Sequence, residues 1–223
     1  MTLSAYHGSI AEKRRTLAQL RQHRRLDQVV QGSYWKGNGD GKGCAVGCLT
    51  HDPYGGHELF PDRWGVPVQI AYLIDHIFES LPVEEAVEWP VRIMAAVPVG
   101  VDLSPVWDRW CVWMLRRVIA YAGVQAPVVE VMASLFERAV RGDEPSGFEW
   151  ATAARAAQAA QAPRAAWAAE AAWAAWAARA AIPAQAAWAA QAAWAARAAR
   201  AAIRHVWAKD TADELVRLVK ACD

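Results

Sequence analysis

Apolar residues recur at helical intervals through the first two-thirds of the chain. Ile70, Leu73, Ile74, Ile77, Phe78 and Leu81 follow a 3.6-residue period and predict an amphipathic helix from Pro67 to Leu81. Trp107, Trp110, Cys111, Met114 and Val118 do the same between Ser104-Pro105, a cap-then-proline start, and Gly123. A further stripe, Val128, Val131, Met132, Leu135, Phe136 and Val140, runs from Pro127 to Gly142. Ser9 and Glu12 have capping-box spacing and open a helix expected to reach Val30, with Leu17, Leu20, Leu26, Val29 and Val30 as its apolar side. Glu84-Glu85 reads as an acidic helix start, and a short helix through Ile93 and Met94 is expected after Pro90. Together these elements predict a mainly α fold.

From residue 152 the period changes to three. Thr152, Arg155, Gln158, Gln161, Arg164, Trp167, Glu170, Trp173, Trp176 and Arg179 are separated by pairs that are almost all alanine, and the pattern continues to Ile203. An α-helix advances about 100° per residue, so a triplet falls about 60° short of a turn and its occupants wind slowly around the rod. They share one face only on a three-residue-per-turn backbone, the 3₁₀-helix or polyproline II. Alanine has the highest helix propensity and favours α, with 3₁₀ kept as the alternative. Pro163 and Pro183 predict breaks, giving segments near 148–162, 164–182 and 184–208. Thr211 and Glu214, ahead of Leu215, Val216, Leu218 and Val219, predict a separate final helix.

The tryptophans of this stretch pose an energetic problem. Trp167, Trp173, Trp176, Trp188, Trp194 and Trp207 each offer on the order of 150–250 Å² to bury. An uncovered row of them would be a patch of a kind soluble monomers avoid. They are expected to pack on the rest of the chain, on a second copy or on another partner. Arg164, Arg179, Arg197 and Arg200 interleave with them, and arginine with aromatic rings also suits phosphate contact and base stacking.

Composition changes the picture in several places. The formal net charge is +1, which excludes a strongly basic chain overall, yet between residues 151 and 209 only Glu170 opposes seven arginines and lysines. Arginine or glutamine interrupts the alanine tract so often that no transmembrane segment is expected. The start, Met1-Thr-Leu-Ser-Ala-Tyr-His7, has neither the basic residues nor the apolar run of a secretory signal. Four cysteines in such a chain point to a reducing, cytoplasmic setting with free or metal-bound thiols. A basic helix side, Lys13, Arg14, Arg15, Arg21, Arg24 and Arg25, reads first as a solvated face.

The densest candidate chemistry lies in Tyr34-Trp-Lys-Gly-Asn-Gly-Asp-Gly-Lys-Gly-Cys44-Ala-Val-Gly-Cys48-Leu-Thr-His51. It is not a phosphate-binding P-loop, because Gly41-Lys42 is followed by Gly43 rather than serine or threonine. It is not an EF-hand, because Lys42 replaces an oxygen ligand and no glutamate closes the loop. Cys44, Cys48, His51 and His57 are the candidate metal ligands, and zinc is the ion that thiolate and imidazole would take. If residues 44–51 are helical, the first three project from one side. A nucleophilic Cys44 at a helix start, with a nearby histidine as base, is the other reading. Buried structural cysteines in a glycine-shaped turn are the simplest.

This cysteine segment, the later Ala96-Val-Pro-Val-Gly-Val-Asp-Leu-Ser104 and the alanine-rich C-terminal repeat together resemble a family of uncharacterised bacteriophage and bacterial proteins. Relatives carry a four-residue tail repeat, often with serine, whereas this chain repeats every three and is rich in tryptophan. The resemblance implies a phage-related intracellular role and carries no catalytic residues.

The organisation expected is therefore a helical domain, 1–147, with a Gly-rich Cys/His loop, followed by an Ala/Trp triplet-repeat segment, 148–223. The expected function is non-enzymatic binding or assembly. Arg164, Trp167, Trp173, Trp176, Arg179, Trp188, Trp194, Arg197 and Arg200 would meet a protein partner, a second subunit or nucleic acid. The alternative is a cysteine- or zinc-dependent enzyme using Cys44, Cys48, His51 and His57.

Overall fold

The computed structural model describes residues 3–37, 41–120, 122–160 and 204–222. Among them the fold is mainly α, and the extended pairing consists of two isolated bridges, Val29 with Gly43 and Lys36 with Lys42. Two compact units are present: residues 1–107 with 204–223, and residues 108–203. The composition change at Gly147 falls inside the second unit, and the C-terminal helix belongs to the first.

The first unit begins with a 3₁₀ turn, Ala5–Gly8, and α1, Ile10–Arg25. The Ser9 hydroxyl accepts from the Glu12 amide at 3.2 Å, as the capping-box spacing predicts. The helix stops five residues short of Val30. Asp27 takes a left-handed φ of 50°, and the Gln28 amide turns back to the His23 carbonyl at 3.0 Å. Val29 and Val30 are thereby released to pair with Gly43, whose carbonyl accepts from the Val30 amide at 2.9 Å.

Next come α2, Ala45–Thr50, a 3₁₀ turn at His57–Leu59, and α3, Phe60–Trp64. Gly65 ends α3 at φ 60°, where a Cβ would fall 2.0 Å from the Ser4 carbonyl oxygen. Only glycine fits there, on both backbone and contact grounds.

The centre of this unit is α4, Val68–Ser80, which packs against α2, against the later helix Trp89–Ala96 and against the C-terminal helix. All six residues of its predicted stripe are buried. Each contributes about 1.5–3 kcal/mol relative to exposure. After α5, Val83–Ala86, and α6, Trp89–Ala96, the indole N–H of Trp89 donates to the Ile74 carbonyl at 2.9 Å and ties α6 to α4. Trp64 does likewise to Thr16 Oγ1 at 3.0 Å, tying α3 to α1. Both buried indoles thus keep a partner, which their polar edge requires.

The C-terminal helix, α10, is continuous over Arg204–Lys220, rather than starting at Thr211. The Thr211 hydroxyl donates back to the Trp207 carbonyl at 2.6 Å instead of capping a new helix. Ala208, Ala212, Leu215, Leu218 and Val219 form its buried side.

Helix α7, Ser104–Ile119, crosses from one unit to the other. In the second unit it is followed by α8, Ala126–Val140, and α9, Gly147–Ala160. Arg116 of α7 pairs with Glu130 and Glu137 of α8, at 2.5 and 2.6 Å. A capping box starts α9: the Ser146 hydroxyl accepts from the Glu149 amide at 3.3 Å, and Glu149 accepts from the Ser146 amide at 2.7 Å. Arg138 joins that box to the end of α8, binding Glu149 and Asp143. Ala153, Ala154 and Ala157 are buried, while Thr152 and Arg155 are exposed. Over residues 152–160 the triplet repeat is therefore α-helical. Of the predicted α8 stripe, Met132, Leu135 and Phe136 are buried, joined by Val129 and Ala133, while Val131 and Val140 are exposed.

Candidate functional site

The Gly-rich segment packs its cysteines inside the first unit. Cys44 is the N-cap of α2, and its Sγ accepts from the Gly47 amide at 3.4 Å. Gly47 is small by necessity, since a Cβ there would sit 2.8 Å from the Trp35 amide nitrogen. One turn on, Cys48 Sγ lies 3.3 Å from the Gly43 carbonyl and 3.6 Å from that of Gln28, in a donor's position. Burial pushes its thiol up to about 12. Cys48 is thus a protonated anchor that fastens α2 to the Val29–Gly43 bridge.

His51 closes α2 in a left-handed conformation, so its ring leaves the helix rather than continuing the line of Cys44 and Cys48. It meets His23 of α1, Nε2 to Nε2 at 2.9 Å, and stacks on Trp35 with ring centroids 4.3 Å apart. His23 Nδ1 in turn donates to Gln28 Oε1 at 2.6 Å. Burial, then His23 and Arg63, lower the His51 pKa.

His57 belongs to a different cluster. Its Nε2 donates to Asp75 Oδ2 at 3.2 Å, with both side chains buried, and its ring stacks on Tyr72 at 4.3 Å. Tyr34 meets the same ring edge-on at 5.9 Å. Asp75 also lies beside Cys44. Ligand atoms of Cys44, Asp75 and Glu79 fall within 4.8 Å of one another.

The four predicted ligands are therefore dispersed: Cys44 with Asp75 and Glu79, Cys48 on backbone carbonyls, His51 with His23, and His57 behind Asp75. The spacing of Cys44, Cys48 and His51 assumes one continuous helix over 44–51, and the left-handed break at His51 turns its ring away from the other two. Asp75 and Glu79 were not foreseen. Their spacing of four on α4 was the available signal.

As a nucleophile Cys44 is poorly placed. It is 1% exposed, and burial, followed by the negative charge of Asp75, drives its thiol far above the ordinary range. A reactive cysteine needs access and a lowered pKa.

In the second unit, a groove of about 500 Å³ runs between α8 and α9. Val131 and Leu135 wall one side, Phe148, Ala153 and Ala156 the other. Phe148 is 75% and Val131 52% exposed. The predicted partner-binding residues, Arg164 to Arg200, lie outside the described residues. Among the described residues no helix is long and apolar enough to cross a membrane. No family model, curated protein or solved structure matches this chain.

Proposed function

We propose that this chain is a non-enzymatic binding or assembly protein whose second unit meets a protein partner, a second copy of itself foremost. The observation that carries this reading is the apolar groove that α8 and α9 line, with Phe148 exposed beside it. An aromatic residue left that exposed next to aliphatic walls is the kind of anchor that protein interfaces bury. The tryptophans at 167, 173, 176, 188 and 194 extend the same apolar chemistry along the sequence. The apolar walls favour protein over nucleic acid, and the arginines at 164, 179, 197 and 200 would supply the polar contacts. The phage-related, cytoplasmic setting implied by sequence belongs to the same reading.

Sedimentation of the full chain over a range of concentrations tests this. Association that weakens in Phe148→Asp and in Val131→Asp is expected. A monomer at every concentration would overturn self-association. Binding to single- or double-stranded DNA that falls with salt, and with glutamine at those four arginines, would instead make nucleic acid the partner.

A second reading, a cysteine- or zinc-dependent enzyme, draws support from the approach of Cys44 to Asp75. The burial and raised pKa of the thiol oppose it in its nucleophilic form.

A further inference from the structure

We infer that Cys44, Asp75 and Glu79 form a zinc site that clips the start of α2 to α4. Three observations carry this. The first is convergence: a sulfur and two carboxylate oxygens, from segments well separated in sequence, lie within 4.8 Å of one another. Zinc bonds sulfur at about 2.3 Å and oxygen at about 2.0–2.2 Å, so closure on an ion asks each side chain to move by less than about 1 Å.

The second is an orphaned acceptor. Asp75 is 7% exposed, its Oδ2 is held by His57, and its Oδ1 has no hydrogen-bond partner. A buried carboxylate oxygen left so loses its hydration without a replacement, and a cation bound there supplies one.

The third is the support behind the ligands. His57 Nε2 fixes Asp75, and the Gly32 amide donates to both Glu79 oxygens at 3.0 and 2.9 Å. Metal-binding carboxylates are characteristically held this way from behind. Glu79, only half-buried, gives the ion a way in, and a water would be the fourth ligand of a four-coordinate zinc. The donor set selects the ion: a thiolate does not suit calcium or magnesium, which take oxygen. Binding would displace the thiol proton, and with two carboxylates the site carries enough negative charge to hold a divalent cation.

The test uses the full chain, purified without chelator and analysed for metal, with Co²⁺ then titrated as a spectroscopic stand-in. One ion per chain and a sulfur-to-cobalt charge-transfer band are expected. Cys44→Ser should abolish the band, while Cys48→Ser and Cys222→Ser retain it. Glu79→Gln, at the half-buried rim, should weaken binding at least about tenfold, and His57→Gln about 10–100-fold. Far-UV circular dichroism confirms that each variant is folded. Absence of the band in the native chain, its survival in Cys44→Ser, or unchanged affinity in Glu79→Gln would each overturn the assignment.

Discussion

His23 Nε2 and His51 Nε2 lie 2.9 Å apart, in a cluster closed by Trp35 and Gln28. Because Gln28 Oε1 accepts from His23 Nδ1, a neutral His23 presents a bare Nε2, and His51 must supply the shared proton.

Stability should therefore fall in mild acid. The folded pKa of His51 is lowered from 6.5, so the unfolded chain binds this proton first as pH drops. The folded state keeps its full advantage above about 6.5 and loses it as pH falls through the depressed value. Urea unfolding between pH 7 and pH 5 should show this loss, and His51→Asn, which tolerates the left-handed cap, should show less of it. Equal slopes in both chains would remove the pair as its cause.

Asp108 gives the opposite sign. Burial, reinforced by Glu144, raises its pKa from 3.8 to about 6. The folded state holds the proton more tightly between these values, so stability falls as pH rises from about 4 to 6. Asp108→Asn should raise the melting temperature at pH 7 and flatten the dependence across that window. A lower melting temperature at pH 7 would show that the charge is stabilised after all.

Gly65→Ala should destabilise the first unit by more than about 1 kcal/mol, because it adds a left-handed penalty to a clash with the Ser4 carbonyl. Gly142→Ala, at φ 79° with nothing within 4 Å of the new Cβ, should cost only the backbone part. Chemical denaturation of the two variants separates the terms, and equal losses would argue against the clash.

Leu215→Ala should cost about 2–5 kcal/mol, since Leu215 is fully buried in the first unit. Val131→Ala, on the exposed edge of α8, should change stability by less than about 0.5 kcal/mol. A mild effect at Leu215 would mean that α10 is dispensable to the core.

The helices were legible where burial follows one period. Ile70 through Leu81 form the buried side of α4 as the spacing predicts, and Trp110, Cys111 and Met114 are buried in α7. The candidate site was legible only in part. Cys44 stood out because glycines surround it, but Asp75 did not, because a carboxylate within an apolar stripe reads as a solvated residue. His23 bears no mark in the sequence that sets it apart, and its partner His51 lies 28 residues away. Helix α1 was read too long because the left-handed turn at Asp27 leaves no periodic mark. The assignment of α10 to the first unit was hidden for a related reason. Composition changes near Gly147 and marks a linker, but packing across chain-distant segments leaves no local trace.

That return of α10 makes residues 108–203 a topological insertion within the first unit. During synthesis, the faces of α4 and α6 that α10 covers must wait for roughly a hundred further residues, about 5–20 s at common ribosomal speeds. Helices made in the first half of the chain are thus sealed only by its end, and a nascent chain interrupted before residue 204 would present the bare flank of α4 to whatever it meets.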